Sequence, residues 1–284
     1  MRVIVTAGGT GGHIYPALAM IEKIREKEPN SEFLFIGTHN RMEKDIIPKH
    51  GIKYNSLEIT GFYRKKFFKN IKTITNFFRA IKDAKKIIRD FNPDVVIGFG
   101  GYVTGPVIYA AKKLKYPTLI HEQNSILGLS NRFLIRYADI IAVSFKDSIN
   151  YINDSGKAVF TGNPSGEYAL NKNKISKETL GFTKDKKLVL IVMGSLGSVA
   201  INEKMKVMLQ QFNNKEYEVL FITGKDYYEE FKVIDVADNI KIVPYVDNLS
   251  ALMKDVDFMI SRAGATTISE IIELNIPSIL IPSP

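Results

Sequence analysis

The sequence lacks cysteine altogether and contains only four histidines in 284 residues. Without cysteine the chain can form neither disulfide bonds nor thiolate metal sites, a composition that fits a reducing compartment. The histidines are dispersed, at positions 13, 39, 50 and 121, and form no metal-binding motif. We therefore expect a protein without a structural metal or a metal cofactor.

Long apolar runs are also missing. No stretch approaches the roughly 20 apolar residues that a membrane-spanning helix needs. The first residues are typical of a β-strand rather than of a charged and then apolar leader, so we expect no secretion signal. These features predict a protein that is soluble or lies on a membrane surface.

Acidic residues are scarce in one window of the chain, residues 63–89. This window contains ten basic residues and one acid, Asp83, so it alone accounts for the net charge of +9. Its apolar residues recur at helical spacing, which predicts a helix that packs on a sheet through one stripe. The stripe consists of Phe67, Ile71, Ile74, Phe78 and Ile81, and the flanking Phe68 and Phe77 are expected to face outward.

Three interpretations of this window compete: a core helix with a solvated basic face, a nucleic-acid groove, or a surface that docks on an anionic membrane. No base-reading or stacking motif occurs elsewhere, so we expect no nucleic-acid partner. Basic side chains attract anionic lipids and aromatic side chains insert among them, which favours the membrane. The residues assigned to this membrane patch are Lys65, Lys66, Phe67, Phe68, Lys69, Lys72 and Phe77.

A glycine-rich loop follows the first predicted strand. The β-branched run 3–5 leads into Gly8, Gly9, Gly11 and Gly12, and His13 comes before a helical pattern. Glycines let bare N–H groups approach a ligand, and a helix N-terminus favours an anion. The loop is not a dinucleotide fingerprint, because Ile14 replaces the last glycine, and no Gly-Lys-Ser/Thr of a P-loop follows. We predict an anion-binding loop with His13 as a functional residue beside it.

Strands and helices alternate along the whole chain, which predicts α/β architecture with mostly parallel sheets. Turn-forming residues concentrate at 161–166, where we place the boundary between two Rossmann-like domains, 1–163 and 164–284. Each domain opens with a strand that runs into a glycine loop, and two further loops, 98–106 and 261–270, also end strands. We expect the domains to face a cleft that holds a ligand with phosphates on both sides.

Five motifs, in this order along the chain, resemble those of the MurG family. They are Gly-Gly-Thr-Gly-Gly-His at 8–13, Gly-Gly-Tyr-Val-Thr-Gly-Pro at 100–106, His-Glu-Gln-Asn at 121–124, Gly-Asn-Pro at 162–164 and Ser-Arg-Ala-Gly-Ala-Thr-Thr-Ile-Ser-Glu at 261–270. The resemblance implies the GT-B glycosyltransferase fold. It also implies transfer of N-acetylglucosamine from its UDP donor to the C4 hydroxyl of undecaprenyl-diphosphate-N-acetylmuramoyl-pentapeptide, the acceptor called lipid I, on the cytoplasmic side of the cell membrane.

The same resemblance implies roles for individual residues. The acceptor diphosphate is expected near the loops that contain Gly8, Gly9, Gly100, Gly101, Tyr102, Thr104 and Gly105. Ser195 is expected at the UDP phosphates, Val246 at the uracil, and Glu270 on the ribose hydroxyls. The remaining donor contacts that it implies are Thr10, Gly11, Gly12, Asn124, Ala265, Thr266, Thr267, Ile268 and Ser269.

Transfer with inversion needs a base for the acceptor hydroxyl and stabilisation of the departing UDP. We predict His13 as the general base, with Glu122 as a weaker candidate or an orienting group. Asp255 and Asp257 form an Asp-x-Asp pair, but they precede a predicted strand and so are expected at the edge of the sheet away from the ligand. We expect no metal, and leaving-group charge is assigned to loop N–H groups and helix N-termini.

Two departures from the family pattern keep alternatives open. Gly166 stands where the family usually carries a donor-binding arginine, and the sequence stops at Pro284, just after a predicted strand. We therefore expect an incomplete second domain. The alternatives are a truncated fragment that binds UDP or membrane without catalysis, and a transferase that passes another UDP-linked sugar to a lipid.

Overall fold

The computed structural model describes residues 1–61, 67–153, 155–194 and 199–282, and their side chains except those of 67–72, 155, 199 and 200. Ser195 and the membrane-patch residues Lys65, Lys66, Phe67, Phe68, Lys69 and Lys72 are therefore outside the description, wholly or in their side chains. The chain divides into two compact units, Met1–Pro164 and Ser165–Pro284.

The first unit is built on a parallel sheet with helices between its strands. Its strands are β1 (Arg2–Thr6), β2 (Glu32–Thr38), β3 (Lys53–Leu57), β4 (Val95–Gly98), β5 (Thr118–Glu122), β6 (Ile140–Val143) and β7 (Ala158–Phe160). Its helices are α1 (Gly11–Lys27), α2 (Glu43–Lys49), α3 (Phe67–Phe91), α4 (Thr104–Lys113) and α5 (Leu129–Leu134), with 3₁₀ turns at Lys146–Tyr151 and Ser155–Lys157.

The second unit repeats this plan on a smaller parallel sheet. Helix α6 (Pro164–Asn171) leads into it. Its strands are β8 (Leu188–Val192), β9 (Glu218–Ile222), β10 (Ile240–Val243), β11 (Phe258–Arg262) and β12 (Ser278–Ile281). Its further helices are α7 (Val199–Met208), α8 (Tyr228–Phe231), α9 (Leu249–Leu252) and α10 (Ala265–Glu273), with 3₁₀ turns at Lys177–Leu180, Leu209–Phe212 and Met253–Asp255.

The central strands of both sheets are buried on two faces, as their continuous apolar sequences require, whereas β7 and β12 carry exposed apolar side chains. In β1, Val3 and Val5 pack into one core while Ile4, between them, packs into another. In β8, Leu190 and Ile191 divide in the same way between the two cores of the second unit. The prediction of two Rossmann-like parallel-sheet domains is confirmed.

The strand order places a topological switch point in each sheet. The order is β3-β2-β1-β4-β5-β6-β7 in the first and β10-β9-β8-β11-β12 in the second, over the described residues. The chain therefore reverses its winding direction between β1 and β4, and again between β8 and β11. Ligands of open α/β sheets bind at the carboxyl ends of the strands beside such a point. The loops singled out in the sequence follow these four strands.

Helix α3 buries only part of the stripe that its apolar spacing predicts: Ile81 packs in the core as expected, whereas two other members of the stripe do not. Ile74 and Phe78 were expected to pack on the sheet, but they are 46% and 66% exposed. Phe77, expected to face outward, is half-buried and packs against the core of the first unit. The helix instead buries smaller or polar side chains together with Ile81 and Ile88, namely Thr73, Asn76, Ala80 and Ala84. Small residues let this part of α3 lie close to α4, and Ile74 and Phe78 are left exposed.

In the part of the chain that the structure describes, no helix is both long and apolar enough to cross a membrane.

Candidate active site

Two glycine loops meet at the switch point of the first sheet. One follows β1 and the other follows β4. The Gly8 N–H donates to the Gly100 carbonyl across 3.2 Å. A Cβ atom at Gly101 would collide with the Gly8 carbonyl oxygen, and Gly9, Gly100 and Gly101 all have φ between +86° and +107°. The loops thus pack backbone against backbone, which only glycine permits at these positions.

His13 lies in the first turn of α1, between these loops. Its Nδ1 is 3.1 Å from the Gly8 carbonyl oxygen, which can only accept, so Nδ1 carries the proton and Nε2 is the basic nitrogen. A Cβ atom at Gly100 would lie 3.0 Å from Nε2, so the missing side chain makes room for the ring. Burial lowers the pKa of His13, although its hydrogen bond to Gly8 and the charges of Glu122 and Glu43 oppose this. A neutral imidazole with a free Nε2 lone pair can accept a proton.

Glu122 is a buried carboxylate at the end of β5, and both of its oxygens are occupied. Oε1 accepts from the backbone N–H and the side-chain amide of Asn124, both at 3.0 Å. Oε2 accepts from the Gly128 N–H and the Asn131 side chain, both at 2.9 Å. Both carboxylate oxygens are thus already engaged by donors from the protein. These contacts suit an orienting role, which fixes Asn124 and the loop that follows it.

His121 ties the end of β5 to the Gly-Asn-Pro motif. Its Nε2–H donates to the Gly162 carbonyl across 3.0 Å, and its Nδ1 accepts from the Gln123 side chain across 3.1 Å. Burial lowers the pKa of His121. Both ring nitrogens therefore have protein partners, and the ring acts as part of the framework.

The residues predicted in the second loop differ in their surroundings. Tyr102 is 52% exposed, and its ring lies against Gly61. Thr104 is buried, and its hydroxyl lies 2.7 Å from the Gly100 carbonyl oxygen and 3.3 Å from that of Thr6. Gly105 packs near the Phe77 ring. Of these three residues, Tyr102 is the one with a side chain available to a ligand.

Thr10, Gly11 and Gly12 form the start of α1. Thr10 is the N-cap residue with an extended backbone, and its side chain makes no capping hydrogen bond. Its carbonyl accepts from the His13 and Ile14 N–H groups. The positive end of the α1 dipole therefore lies at this loop, as anion binding requires.

Sequence reasoning missed Glu43, which lies under the first glycine loop. This side chain of α2 is fully buried, and its Oε2 accepts from the Gly9 N–H across 3.2 Å. Its Oε1 accepts from the N–H and the hydroxyl of Thr38 at 3.0 and 2.7 Å. In the sequence Glu43 is one charge in a polar helix, and no local pattern indicates burial.

The second unit has its own site at the switch point between β8 and β11. Gly194, with φ of +89°, ends β8, and the residues Ala265 to Glu270 form the first turns of α10. The Ser269 hydroxyl donates to the Ala265 carbonyl across 2.9 Å, so it is used inside the helix. Val246 follows β10 and packs against the core of this unit.

Glu270 is held by a residue that sequence reasoning also missed. The Ser250 hydroxyl lies 2.7 Å from Glu270 Oε1. Burial raises the pKa of Glu270 to about 7, and the hydrogen bond from Ser250 opposes the rise. A carboxylate in this state gains from hydroxyl donors that a ligand supplies.

Gly166 has little room for a side chain in this structure. Gly166 lies in α6 against α10, and a Cβ atom there would lie 2.6 Å from Glu273 Cγ and 3.0 Å from the Ser269 carbonyl oxygen. A larger side chain would need α6 or α10 to move.

Asp255 and Asp257 lie before β11, at the amino ends of the strands and away from the switch point, as predicted. Asp257 pairs with Lys187 across 2.7 Å, and Asp255 accepts from the Lys177 N–H across 2.8 Å. Among the described residues, no group of three or more His, Asp and Glu side chains is arranged to hold a metal ion.

Comparison with known proteins connects both units to one family. Residues 3–143 match the glycosyltransferase family 28 N-terminal domain, and residues 188–284 match the glycosyltransferase family 28 C-terminal domain. A Bacillus cytotoxicus protein is 48% identical over the whole chain, which covers 79% of that protein. A Bacillus subtilis protein is 46% identical with the same coverage. Both are named UDP-N-acetylglucosamine--N-acetylmuramyl-(pentapeptide) pyrophosphoryl-undecaprenol N-acetylglucosamine transferase.

Solved structures agree with this grouping. The crystal structure of Acinetobacter baumannii MurG has a TM-score of 0.71 and 27% identity, covering all of this chain and 79% of that one. A Neisseria meningitidis UDP-GlcNAc 2-epimerase bound to UDP-GlcNAc also reaches 0.71, at 16% identity and coverage of 100% and 83%. The second likeness shows the fold alone.

Proposed function

Because this chain belongs to the MurG family within glycosyltransferase family 28, we propose that it transfers N-acetylglucosamine from UDP-N-acetylglucosamine to lipid I. The acceptor's C4 hydroxyl oxygen attacks the anomeric carbon of the donor sugar, and a new glycosidic bond forms with inversion. The bond from that carbon to the UDP oxygen breaks, and UDP leaves with the electron pair. The product is the disaccharide-bearing lipid precursor of peptidoglycan.

The orientation of His13 is the observation that carries this mechanism. Its Nδ1–H is anchored on Gly8, so the neutral ring offers Nε2 to the hydroxyl that loses its proton. The lowered pKa keeps the ring neutral near pH 7. Glu122 supports the site by fixing Asn124, the residue proposed to contact the donor sugar, through two hydrogen bonds.

The acceptor diphosphate is proposed to lie against the first turn of α1 and the loop at 100–105. The N–H groups of Gly8 and Gly9 are used within the protein, by Gly100 and Glu43. These two glycines therefore shape the loop, and the α1 N-terminus supplies the positive potential. Thr10, Gly11 and Gly12 lie at that end of the helix, beside the proposed donor sugar.

The donor nucleotide is proposed to bind the second unit. Glu270 accepts hydrogen bonds from the ribose hydroxyls, and the N-terminal turns of α10 face the nucleoside. Val246 contacts the uracil through its backbone, and Ser195 contacts the phosphates. The donor-side residues proposed on α10 are Ala265, Thr266, Thr267, Ile268 and Ser269.

We assign leaving-group stabilisation to backbone N–H groups and helix N-termini, without a metal cofactor. Asp255 and Asp257, the Asp-x-Asp pair that could hold a metal on a diphosphate, are engaged by lysines and backbone at the opposite edge of the sheet. Turnover is therefore expected to persist in excess EDTA. A loss of activity that added Mg²⁺ or Mn²⁺ restores would contradict this assignment.

The protein is proposed to act as a peripheral protein on the cytoplasmic side of the cell membrane. Exposed apolar side chains lie on α3 and on α5, including Ile74, Phe78, Leu129 and Phe133. Phe77 joins the two helices, since its ring centroid lies 6.2 Å from that of Phe78 and 6.4 Å from that of Phe133. The exposed basic residues around them are Arg79, Lys82, Lys86, Arg89, Arg132 and Arg136. Together they suit an anionic lipid surface.

A transfer assay tests the proposed activity directly. The protein is incubated with labelled UDP-N-acetylglucosamine and lipid I, and the lipid product is separated and hydrolysed. We expect a β-linked disaccharide. UDP binding without transfer would instead favour a non-catalytic fragment, and transfer to lipids without the muramoyl-pentapeptide would favour another transferase. The identity of the relatives over the whole chain favours the lipid I transferase over both alternatives.

A further inference from the structure

Glu43 is a buried carboxylate that the proposed chemistry does not use. Its side chain is fully buried, although it lies on the short helix α2 and outside every motif discussed above. Burying a charge is costly unless donors satisfy it. Here the Thr38 N–H, the Thr38 hydroxyl and the Gly9 N–H donate to it. Packing alone does not account for a charged side chain at the buried position of Glu43.

The Glu43 carboxylate contacts the first glycine loop at Gly8 and Gly9. Oε2 accepts from Gly9, and Oε1 lies where a Cβ atom at Gly8 would come within 2.8 Å. Gly8 and Gly9, two of the four glycines of the loop, thus both lie against this one side chain. The end of β2, through Thr38, fixes the other oxygen and so prevents the carboxylate from turning away.

A continuous path of contacts leads from Glu43 to His13. Glu43 holds Gly9, Gly9 follows Gly8 in the chain, and the Gly8 carbonyl accepts from His13 Nδ1. The direction of Nε2 depends on where that carbonyl points. Glu43 and Glu122 are also the two acids whose charges raise the pKa of His13 against the effect of burial.

We propose that Glu43 is a positioning residue for His13: it fixes Gly8 and Gly9 so that the Gly8 carbonyl aims the imidazole at the acceptor hydroxyl. This inference rests on the proposed role of His13 as the base. It does not require Glu43 to touch a substrate.

The variant Glu43→Gln tests the proposal with little change of size. A glutamine has one acceptor oxygen, and we expect it to face the two donors of Thr38, which leaves the Gly9 N–H against the amide NH2 group without an acceptor. We expect kcat to fall by about tenfold or more, and amide exchange at Gly9 to accelerate by a similar factor, because a hydrogen bond to a charged group is lost. The KM for UDP-N-acetylglucosamine is expected to stay unchanged, because its nucleotide is assigned to the second unit.

The charge of Glu43 gives a second test, because a residue with a purely structural role would leave the pKa of His13 unchanged. Removing a negative charge near His13 lowers the pKa of its imidazole, so the acid limb of the kcat/KM profile should shift to lower pH. NMR titration of the His13 ring should show the same direction in the free protein. Thr38→Val removes one hydroxyl donor but keeps the carboxylate, and it should leave the His13 titration in place.

Tyr54→Phe is the matched control, because Tyr54, like Glu43, hydrogen-bonds to Thr38. The Tyr54 hydroxyl donates to the Thr38 carbonyl across 2.6 Å without contacting the loop, so this variant should keep the wild-type kcat and pH profile. The proposal is overturned if a folded Glu43→Gln protein retains wild-type kcat or wild-type Gly9 exchange. If the wild-type protein shows no transfer, the proposed function fails, whereas the exchange and His13 titrations still test the link between Glu43 and the loop.

Discussion

The Ser250 hydroxyl hydrogen-bonds to Glu270 Oε1 across 2.7 Å, and so joins helix α9 to the proposed ribose-binding carboxylate on α10. Burial raises the pKa of Glu270 to about 7, and this hydrogen bond limits the rise. Ser250 therefore keeps part of the Glu270 population ionised at neutral pH. An ionised carboxylate is the form that accepts from ribose hydroxyls.

Replacement of Ser250 by alanine is expected to weaken UDP binding by about tenfold at pH 7, since it raises the pKa of Glu270 further. The defect should shrink as the pH increases to about 9, where the carboxylate ionises in both proteins. Calorimetric titration with UDP at several pH values measures this. Ser250→Thr retains the hydroxyl and should bind as the wild type does. Equal affinity of Ser250→Ala and wild type over the whole range would refute the assignment.

Glu270 is also expected to reduce the stability of the folded protein at high pH. Its pKa is raised from 4.5 to about 7, so the folded state keeps a proton that the unfolded chain releases between these values. The free energy of unfolding therefore falls as the pH rises through this window. Glu270→Gln should be more stable than wild type by about 1 to 3 kcal/mol at pH 8 and close to it at pH 4.5. Urea unfolding at both pH values would show whether the gain depends on pH.

Loss of the His13 imidazole should reduce turnover more than substrate binding. We expect His13→Ala to lower kcat by about 10²- to 10⁴-fold, the usual contribution of a general base. In the wild type the acid limb of kcat/KM should lie below the usual histidine pKa of about 6.5, because burial lowers the pKa of His13. His39→Ala, which removes an exposed histidine of the same unit, serves as the control. Full turnover by His13→Ala would show that another group is the base.

Gly166 should resist replacement by a residue with a side chain. Gly166→Ala places a Cβ atom against Glu273 Cγ and the Ser269 carbonyl, and overpacking of this kind costs about 1 to 3 kcal/mol. Glu273→Ala removes the nearer contact. The penalty of Gly166→Ala should therefore be smaller in the Glu273→Ala background. A double-mutant cycle of unfolding free energies measures this coupling, and additive effects would argue against the contact.

The exposed face of α3 should govern binding to anionic vesicles. Phe78→Ser removes a 66% exposed ring and should weaken binding to phosphatidylglycerol vesicles by about tenfold, in line with the burial of one large apolar side chain. Val207→Ser removes a 71% exposed side chain of the other unit and should have no effect. Flotation assays at low and high salt also test the basic residues. If the wild-type protein does not bind these vesicles at low salt, the membrane proposal is wrong.

Local signals made the first glycine loop predictable. The β-branched run at 3–5 predicts a buried strand, and the glycines that follow predict a tight turn. The motifs indicate the family. The edge strand β3 was not predicted, because Lys53–Leu57 is polar and only its last residue is buried. A strand of this kind is held by its pairing with β2 rather than by its own composition.

Tertiary contacts decided the features that sequence reasoning missed or misplaced. Apolar spacing located α3 but assigned Ile74 and Phe78 to the wrong face, because the helix packs through small residues. Glu43 and Ser250 have ordinary neighbours in the sequence. The roles proposed for them depend on hydrogen bonds to Gly9 and Glu270, which lie 34 and 20 residues away. Periodicity and motifs carry no information about such pairs.

The packing of Gly101 against the Gly8 carbonyl limits which substitutions the two glycine loops of this chain can accept. A side chain at Gly101 would part the two loops and move the carbonyl that orients His13. If His13 is the base, as proposed, we expect substitution at this seam to reduce turnover before it alters the fit of a new substrate. Directed evolution toward other lipid-linked acceptors has more freedom at Tyr102, whose exposed side chain belongs to the second loop but lies outside this seam.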